Sequence, residues 1–475
     1  MRASLALAML AAGCAAVGED YRQPRAAVAE SWSRDSRPGS VSLEQWWIVF
    51  GDERLAQLIE RARASNLDLE AAASSVREAR AALGASRAAL APSLDASLGA
   101  SRSRQSLESR AGAPFFGHRE SSLFDVGFDA RWELDVFGGL RRDVEAAEAD
   151  LGSVEEAHRG VLVSLTAETA RAYLELCGLR RKLRIVRDRV EMQSQLAEIV
   201  SVRARAGVAS DLDAARADAQ VASGRAEIPA LEARIAEREH ALAVLLGLPP
   251  RDASAEFGDA SVTPVADVAL ALGQPADLLR RRPDLRAAER RCAAASARAA
   301  SAFAARYPRV SLGAGFGWLA NETGDLFRSS SVAASIGPSI SLPLFDAGLR
   351  RARFEAATER ENQAVLAYQD AVLAAAKEVE DALSGLAGAT ERRATLRTAV
   401  ESQTRAATYS LDLYSSGVVD FLTVLDAERE LYALQDQLAA SETDCALQVV
   451  ALAKSLGGGW DPQRLPSVAE VGAPR

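Results

Sequence analysis

The sequence contains few cysteines and histidines, and each scarcity argues against a class of protein. Four cysteines without any CxxC spacing argue against a disulfide framework or a zinc site. The three histidines, His118, His158 and His240, are too scattered for a metal triad, and there is no GxxxxGK phosphate loop. We therefore predict that the protein is not an enzyme and has no catalytic residues, no cofactor and no metal site.

Basic runs and long apolar runs are also missing. Lysine occurs only at Lys182, Lys377 and Lys454, the many arginines are interspersed with acidic residues, and the net charge is −9. This pattern is typical of solvated helix faces and gives no indication of a nucleic-acid-binding face. Beyond the N-terminal segment, no stretch approaches the ~20 apolar residues that a membrane-spanning helix needs. If the chain crosses a membrane, it must do so with strands.

The N-terminus carries a specific pattern. Residues 1–13 have a positive start at Arg2, an apolar core and small residues before Cys14, which together describe a lipoprotein signal peptide. We predict that Cys14 is acylated, with palmitate among its chains, and becomes the mature N-terminus, because several acyl chains hold a protein firmly on a membrane. An ordinary signal peptide followed by a chance cysteine is the alternative. Ala15, in place of an aspartate, favours sorting to the outer membrane.

An internal repeat organises the rest of the chain. Asp68-Leu69-Glu70-Ala71-Ala72 and Asp284-Leu285-Arg286-Ala287-Ala288 open two similar helices about 216 residues apart, and later landmarks recur in the same order. The chain is therefore two copies of one unit. The predicted segments are a signal peptide (1–13), a lipidated extended segment (14–50), a first repeat (51–250), a linker (251–275), a second repeat (276–457) and a C-terminal tail (458–475).

Each repeat contains one predicted β-hairpin, at 93–137 and at 308–345. The pattern is clearest in Phe124–Val136, where apolar residues alternate with charged ones. Strict alternation requires one dry face and one wet face. A soluble sandwich satisfies this with a second sheet. An outer-membrane barrel satisfies it with lipid on one face and a water-filled lumen on the other.

Four strands of roughly ten residues have the length that a tilted strand needs to span a membrane. They are too few to close a barrel, since the smallest bacterial barrels have about eight strands. An open sheet edge in lipid leaves backbone groups unpaired, so strands must be pooled between chains. We predict a homotrimer with twelve strands. A dimer with eight strands would also close, but side chains would fill its lumen.

The helices that follow the hairpins are unusually long. Predicted helices at 139–206 and 348–416 keep apolar residues at steps of three, four and seven, which is coiled-coil packing. Shorter helices return at 210–247 and 419–456, and Pro229 should kink or break the first of them. An ordinary soluble helical bundle is the alternative, but it does not explain the inserted strand pairs.

With these features in view, the chain resembles the TolC-like outer-membrane factors, in particular their NodT- or OprM-like lipoprotein branch. The resemblance covers nearly the whole mature chain. It is carried by Cys14 with residues 17–24, by Trp46-Trp47-Ile48-Val49-Phe50-Gly51-Asp52, and by the stretches 281–289, 307–312 and 337–345.

The resemblance implies an α+β membrane protein of the outer membrane of a Gram-negative bacterium. Its fold would be a trimeric twelve-stranded transmembrane β-barrel continuous with a long periplasmic α-helical barrel. The implied partners are two sister subunits, a periplasmic adaptor protein, an inner-membrane pump of the resistance-nodulation-division class and outer-membrane lipid. The implied function is a passive efflux conduit for small molecules. A duct for type I protein secretion and a coiled-coil lipoprotein scaffold without a pore are the alternatives.

The turn after each long helix is the predicted periplasmic gate. Gly207 and Gly417 suit the left-handed residues that end helices. Acidic residues follow them, and Asp211 and Asp420 also suit helix N-terminal capping or first-turn positions.

The resemblance implies that Asp426 narrows the closed entrance and that Asp211 helps to latch neighbouring helices. Thr423 stands where the family's best-known member has a second acidic ring, and that member's latch arginine has no match in the second turn, so Arg203 or Arg205 would have to substitute. The acidic residues of the turns, with Asp213 added, and these two arginines are the candidate gate residues.

Overall fold

A computed structural model describes residues 16–33, 41–104, 120–252, 257 and 273–461. The predicted signal peptide, Cys14, His118 and most of the first strand-connecting loop lie outside the described residues, so the acylation of Cys14 stays a prediction. In the described chain the α-helices are α1 (Glu53–Ser65), α2 (Leu67–Ala88), α3 (Gly139–Arg205), α4 (Asp211–Leu245), α5 (Leu278–Arg281), α6 (Pro283–Ala304), α7 (Leu349–Ser415) and α8 (Phe421–Ser455). The strands are β1 (Ser93–Arg104), β2 (Glu120–Leu134), β3 (Arg309–Ala320) and β4 (Val332–Ser341). Of the helices described, none is both long enough and apolar enough to cross a membrane.

The four strands form one antiparallel sheet in the order β1-β2-β3-β4. Its register places Leu98, Val126 and Trp318 side by side, and the next row contains Gly99, Asp125 and Leu319. One face is therefore apolar over most of its length, and the other carries mainly acidic, serine and glycine residues, together with Leu123, Leu319 and Arg131. The edge strands β1 and β4 are exposed along nearly their whole length, as expected of edges that pair with another chain.

Two strands end earlier than the alternation predicts. β2 stops at Leu134 because the carboxylate of Asp135 accepts hydrogen bonds from the backbone N–H groups of Leu140 (3.1 Å) and Arg141 (2.9 Å) at the start of α3. β4 stops at Ser341, which pairs with Arg309. The next pair would involve Pro308, which has no backbone N–H to donate.

The described chain divides into two compact units, and each combines parts of both sequence repeats. The first contains Met1–Arg25, Val76–Val154 and Ala287–Tyr368, and so includes the sheet. Within it the buried Arg142 side chain holds the N-terminal segment, since it donates to the backbone oxygen of Gly18 (3.3 Å) and to the Asp20 carboxylate (2.8 Å). The Tyr21 hydroxyl donates to the Glu289 carboxylate at 2.8 Å.

The second unit contains Ala26–Ser75, Glu155–Arg286 and Gln369–Arg475. A buried tryptophan-rich segment, Leu43–Phe50, packs within it. Arg282 lies in the stretch that carries the family resemblance and is almost fully buried. It donates to Asp284 and Glu378, both at 2.7 Å, and to the backbone oxygen of Ser455 at 2.9 Å. These bonds explain why an arginine is needed there.

Pro229 does not break its helix. α4 runs from Asp211 to Leu245 with Pro229 inside it, so the helix does not break there, and a kink at Pro229 stays a prediction. Pro229 and Arg225 are both exposed. A residue other than proline at 229 would donate its N–H to the carbonyl of Arg225, so the bond that proline removes lies on the exposed side of the helix.

Candidate functional site

Both long helices end in the same way. Gly207 follows α3 with φ +74° and Gly417 follows α7 with φ +75°. In each turn the residue after the glycine donates its backbone N–H to a carbonyl five residues earlier: Val208 to Arg203 and Val418 to Leu413, both at 2.9 Å. These are Schellman caps. A side-chain carbon at either glycine would meet no neighbouring atom, so the positive φ is what requires glycine.

The two returning helices begin with related caps, in which the hydroxyl and carboxylate residues have exchanged positions. At α4 the Ser210 hydroxyl accepts from the Asp213 N–H (3.2 Å), while the Asp213 carboxylate accepts from the Ser210 hydroxyl (2.7 Å). At α8 the Asp420 carboxylate accepts from the Thr423 N–H (3.0 Å) and hydroxyl (2.7 Å). The pKa of Asp420 is lowered by the Thr423 hydroxyl, by the Thr423 N–H and by the positive charge of Arg216. Asp213 therefore completes the capping box that Ser210 begins at α4, and Asp420 is the N-cap of α8.

The remaining two predicted carboxylates have no such role. Asp211, in the first turn of α4, and Asp426, in the second turn of α8, are both exposed. Among the described residues neither side chain has a hydrogen-bond or ion-pair partner. Both are thus available to groups from another chain, although the helix N-terminus also favours the charge of Asp211.

The two candidate arginines differ. The Arg203 guanidinium lies 4.7 Å from the ring centroid of Tyr414 in the same chain, a cation–π contact. Arg205 is exposed, and its Nε donates to the backbone oxygen of Ser201 at 3.4 Å. Neither forms an ion pair with Asp211 or Asp426 within the described chain.

A hydrophobic cluster that the sequence analysis missed holds the two turns together. The Tyr414 and Phe421 rings lie 5.7 Å apart, and around them pack buried residues of all four long helices. The cluster consists of Leu196, Ala197, Val200, Ala217, Val221, Tyr414, Phe421, Val424 and Leu425. Tyr414 occupies the position before its turn that Ala204 occupies before the first turn. This difference between the two repeats was the feature of the sequence that could have indicated the cluster.

Each turn also presents one valine and one leucine to solvent. Val208 and Leu212 in the first turn occupy the same positions relative to the glycine as Val418 and Leu422 in the second. All four side chains are exposed. A trimer would therefore present six copies of this apolar pair beside the acidic residues.

Comparisons with known proteins agree with one another. The model of the outer membrane efflux protein family matches residues 58–248 and 275–458. The pyoverdine export outer membrane protein OpmQ of Pseudomonas putida is 34% identical over 435 residues, which cover 90% of each chain. The solved outer-membrane channel OprN is 35% identical, with a TM-score of 0.87 over 94% of this chain and 99% of its own. The open state of the outer membrane channel MtrE of Neisseria gonorrhoeae is 26% identical, with a TM-score of 0.81 over 94% of this chain and 99% of its own.

Proposed function

Because this chain belongs to the outer membrane efflux protein family, we propose that its two glycine turns form the periplasmic gate of the channel. The protein is the outer-membrane component of an efflux pump, a conduit that catalyses no reaction. Its predicted fold class is confirmed: a trimeric twelve-stranded β-barrel with a long α-helical barrel. The proposal concerns how the conduit closes.

The observation that carries the gate proposal is the pairing state of the four carboxylates. Asp213 and Asp420 accept backbone hydrogen bonds at the helix starts, whereas Asp211 and Asp426 are exposed beside them without a partner among the described residues of their own chain. Arg205 is likewise exposed on the same turn. In a closed trimer, Arg205 of one subunit pairs with Asp211 of the next, and three copies of Asp426 narrow the entrance.

Opening is a shift between two populations. A partner opens the gate only if it binds the open state more tightly than the closed state. The pump assembly includes an adaptor and an inner-membrane pump, which we assign to the resistance-nodulation-division class. We place the adaptor contact on Val208, Leu212, Val418 and Leu422, because exposed apolar groups of this kind are typical of protein contacts.

The proposed cargo is small organic molecules. OpmQ, which covers nine tenths of this chain, is a pyoverdine export protein. Family membership also favours efflux over type I protein secretion, and it leaves the scaffold without a pore unsupported.

The gate is tested by replacing Asp211 and Asp426 with asparagine and measuring conductance in planar bilayers. Because exposed ion pairs are individually weak but three act together, the leak conductance should rise roughly threefold or more. The rise should shrink at high salt, which already screens such pairs in the unaltered protein.

Asp218→Asn is the matched control, since Asp218 is an exposed carboxylate on α4 outside the gate. The charge exchange Asp211→Arg with Arg205→Asp should restore the low leak. Unchanged conductance in the Asp211→Asn/Asp426→Asn variant removes the gate assignment and leaves the channel itself intact.

A further inference from the structure

The apolar face of the sheet has a measurable height. On β2 its apolar residues run from Leu134 to Phe124, which is about 33 Å along the strand at about 3.3 Å per residue. A strand tilt of about 40° reduces this to about 25 Å along the membrane normal, the height of the apolar band on outer-membrane barrels. This face therefore contacts the hydrocarbon of the membrane.

The band ends at the same level on two neighbouring strands. The last apolar pair is Ala100 with Phe124, and the next pair on that face is Arg102 with Ser122. The following pair is Arg104 with Glu120. Both arginines lie at the end of the sheet remote from the helices, because α2 leads into β1 and β2 leads into α3 at the opposite end. That end faces the outer leaflet.

The described ends of β1 and β2 carry more positive than negative charge at this level. Nη2 of Arg102 lies 2.9 Å from a Glu120 carboxylate oxygen and Nε of Arg104 lies 3.8 Å from the other. The arginine side chains are 75% and 63% exposed, so they keep free donors. In the paired ends of β1 and β2, two guanidinium groups share one carboxylate, which leaves about one positive charge on these three side chains.

We propose that Arg102 and Arg104 bind the phosphate groups of an outer-leaflet lipid whose acyl chains lie against the apolar band. Guanidinium groups bind phosphate through paired hydrogen bonds, which lysine does not match. An aromatic cluster lies on the same face toward the same end. The ring centroid of Trp318 is 5.4 Å from that of Phe316 and 5.7 Å from that of the exposed Phe327. Aromatic residues at this depth are typical of a membrane–water interface.

The test measures lipid binding by the purified, delipidated trimer. The probes are lipid A with two phosphates and the same lipid after removal of both. We expect the phosphorylated lipid to bind at least about tenfold more tightly, and Arg102→Gln/Arg104→Gln to abolish that preference. Glu120→Gln should strengthen binding, because it frees the second guanidinium. A gain in binding cannot result from misfolding, so this variant separates the proposed site from a general loss of structure.

Arg131→Gln is the matched control, since Arg131 is an exposed arginine of the same sheet on the opposite, lumen-facing side. It should bind both lipids as the unaltered protein does. The proposal is overturned if the phosphates make no difference, if the double variant keeps the preference, or if inorganic phosphate at the same concentration displaces the lipid. The last result would indicate a site for free anions. The inference rests on the outer-membrane location and is independent of the gate.

Discussion

At the scale of single residues, the two turns divide four similar carboxylates between two tasks. Asp213 and Asp420 accept hydrogen bonds from backbone N–H groups at helix N-termini, while Asp211 and Asp426 have no partner among the described residues of their own chain. The sequence limited Asp211 and Asp420 to capping or first-turn positions. For α4 it did not decide between the N-cap and the first turn, because Ser210 and Asp211 are both good N-cap residues. The structure makes Ser210 the cap and Asp211 the residue after it.

Replacing Gly207 or Gly417 with alanine should loosen its turn. A left-handed backbone costs a residue with a side chain about 1–2 kcal/mol. Hydrogen exchange of the turn amides should accelerate roughly five- to thirtyfold. Gly388→Ala in α7 is the control, because Gly388 is exposed, has no positive φ and has open space around it. That variant should slow exchange slightly, and equal effects in all three variants would contradict the assigned role of the glycines.

The cluster around Tyr414 marks the limit of residue-scale prediction. Its members come from positions 196 to 425, and their contact depends on how four helices meet. Periodicity places each residue on a helix face, but it does not say which face meets which. The contact of Arg203 with Tyr414 was therefore not foreseen, and it makes Arg205 the better candidate for the latch.

At the scale of elements, the strands were predictable because alternation with period two has one physical cause. Apolar and charged residues alternate in β2, and the register carries the same two faces across all four strands. The strand ends were less predictable, since they depend on a cap by Asp135 and on a pairing opposite Pro308. At Pro229 a local rule predicts a kink or a break, and the helix nevertheless continues through this exposed position.

Neighbouring residues of β2 should respond oppositely to the same substitution. Phe128→Arg places a charge near the middle of the apolar face, where it costs about 2–4 kcal/mol. The yield of SDS-resistant trimer in outer membranes should fall severalfold. Asp129→Arg, one residue along and on the lumen face, should assemble normally. If both variants assemble equally well, the two faces have been assigned wrongly.

At the scale of the whole molecule, the internal repeat gives the overall plan, but not its compact units. Both repeats contain a helix, a hairpin, a long helix and a returning helix. Each compact unit nevertheless takes segments from both repeats. A linear division of the sequence misses this interleaving, because the 67-residue helices α3 and α7 each begin in one unit and end in the other.

Our main conclusion is that four strands per chain become a membrane channel only when three chains share one barrel. It follows from the two exposed edge strands and from the cost of unpaired backbone groups in lipid. Native mass spectrometry of the detergent-extracted protein tests it most directly, and the subunit mass also reports acylation at Cys14. We expect a complex of three subunits, and a stable monomer or dimer would rule out the shared barrel.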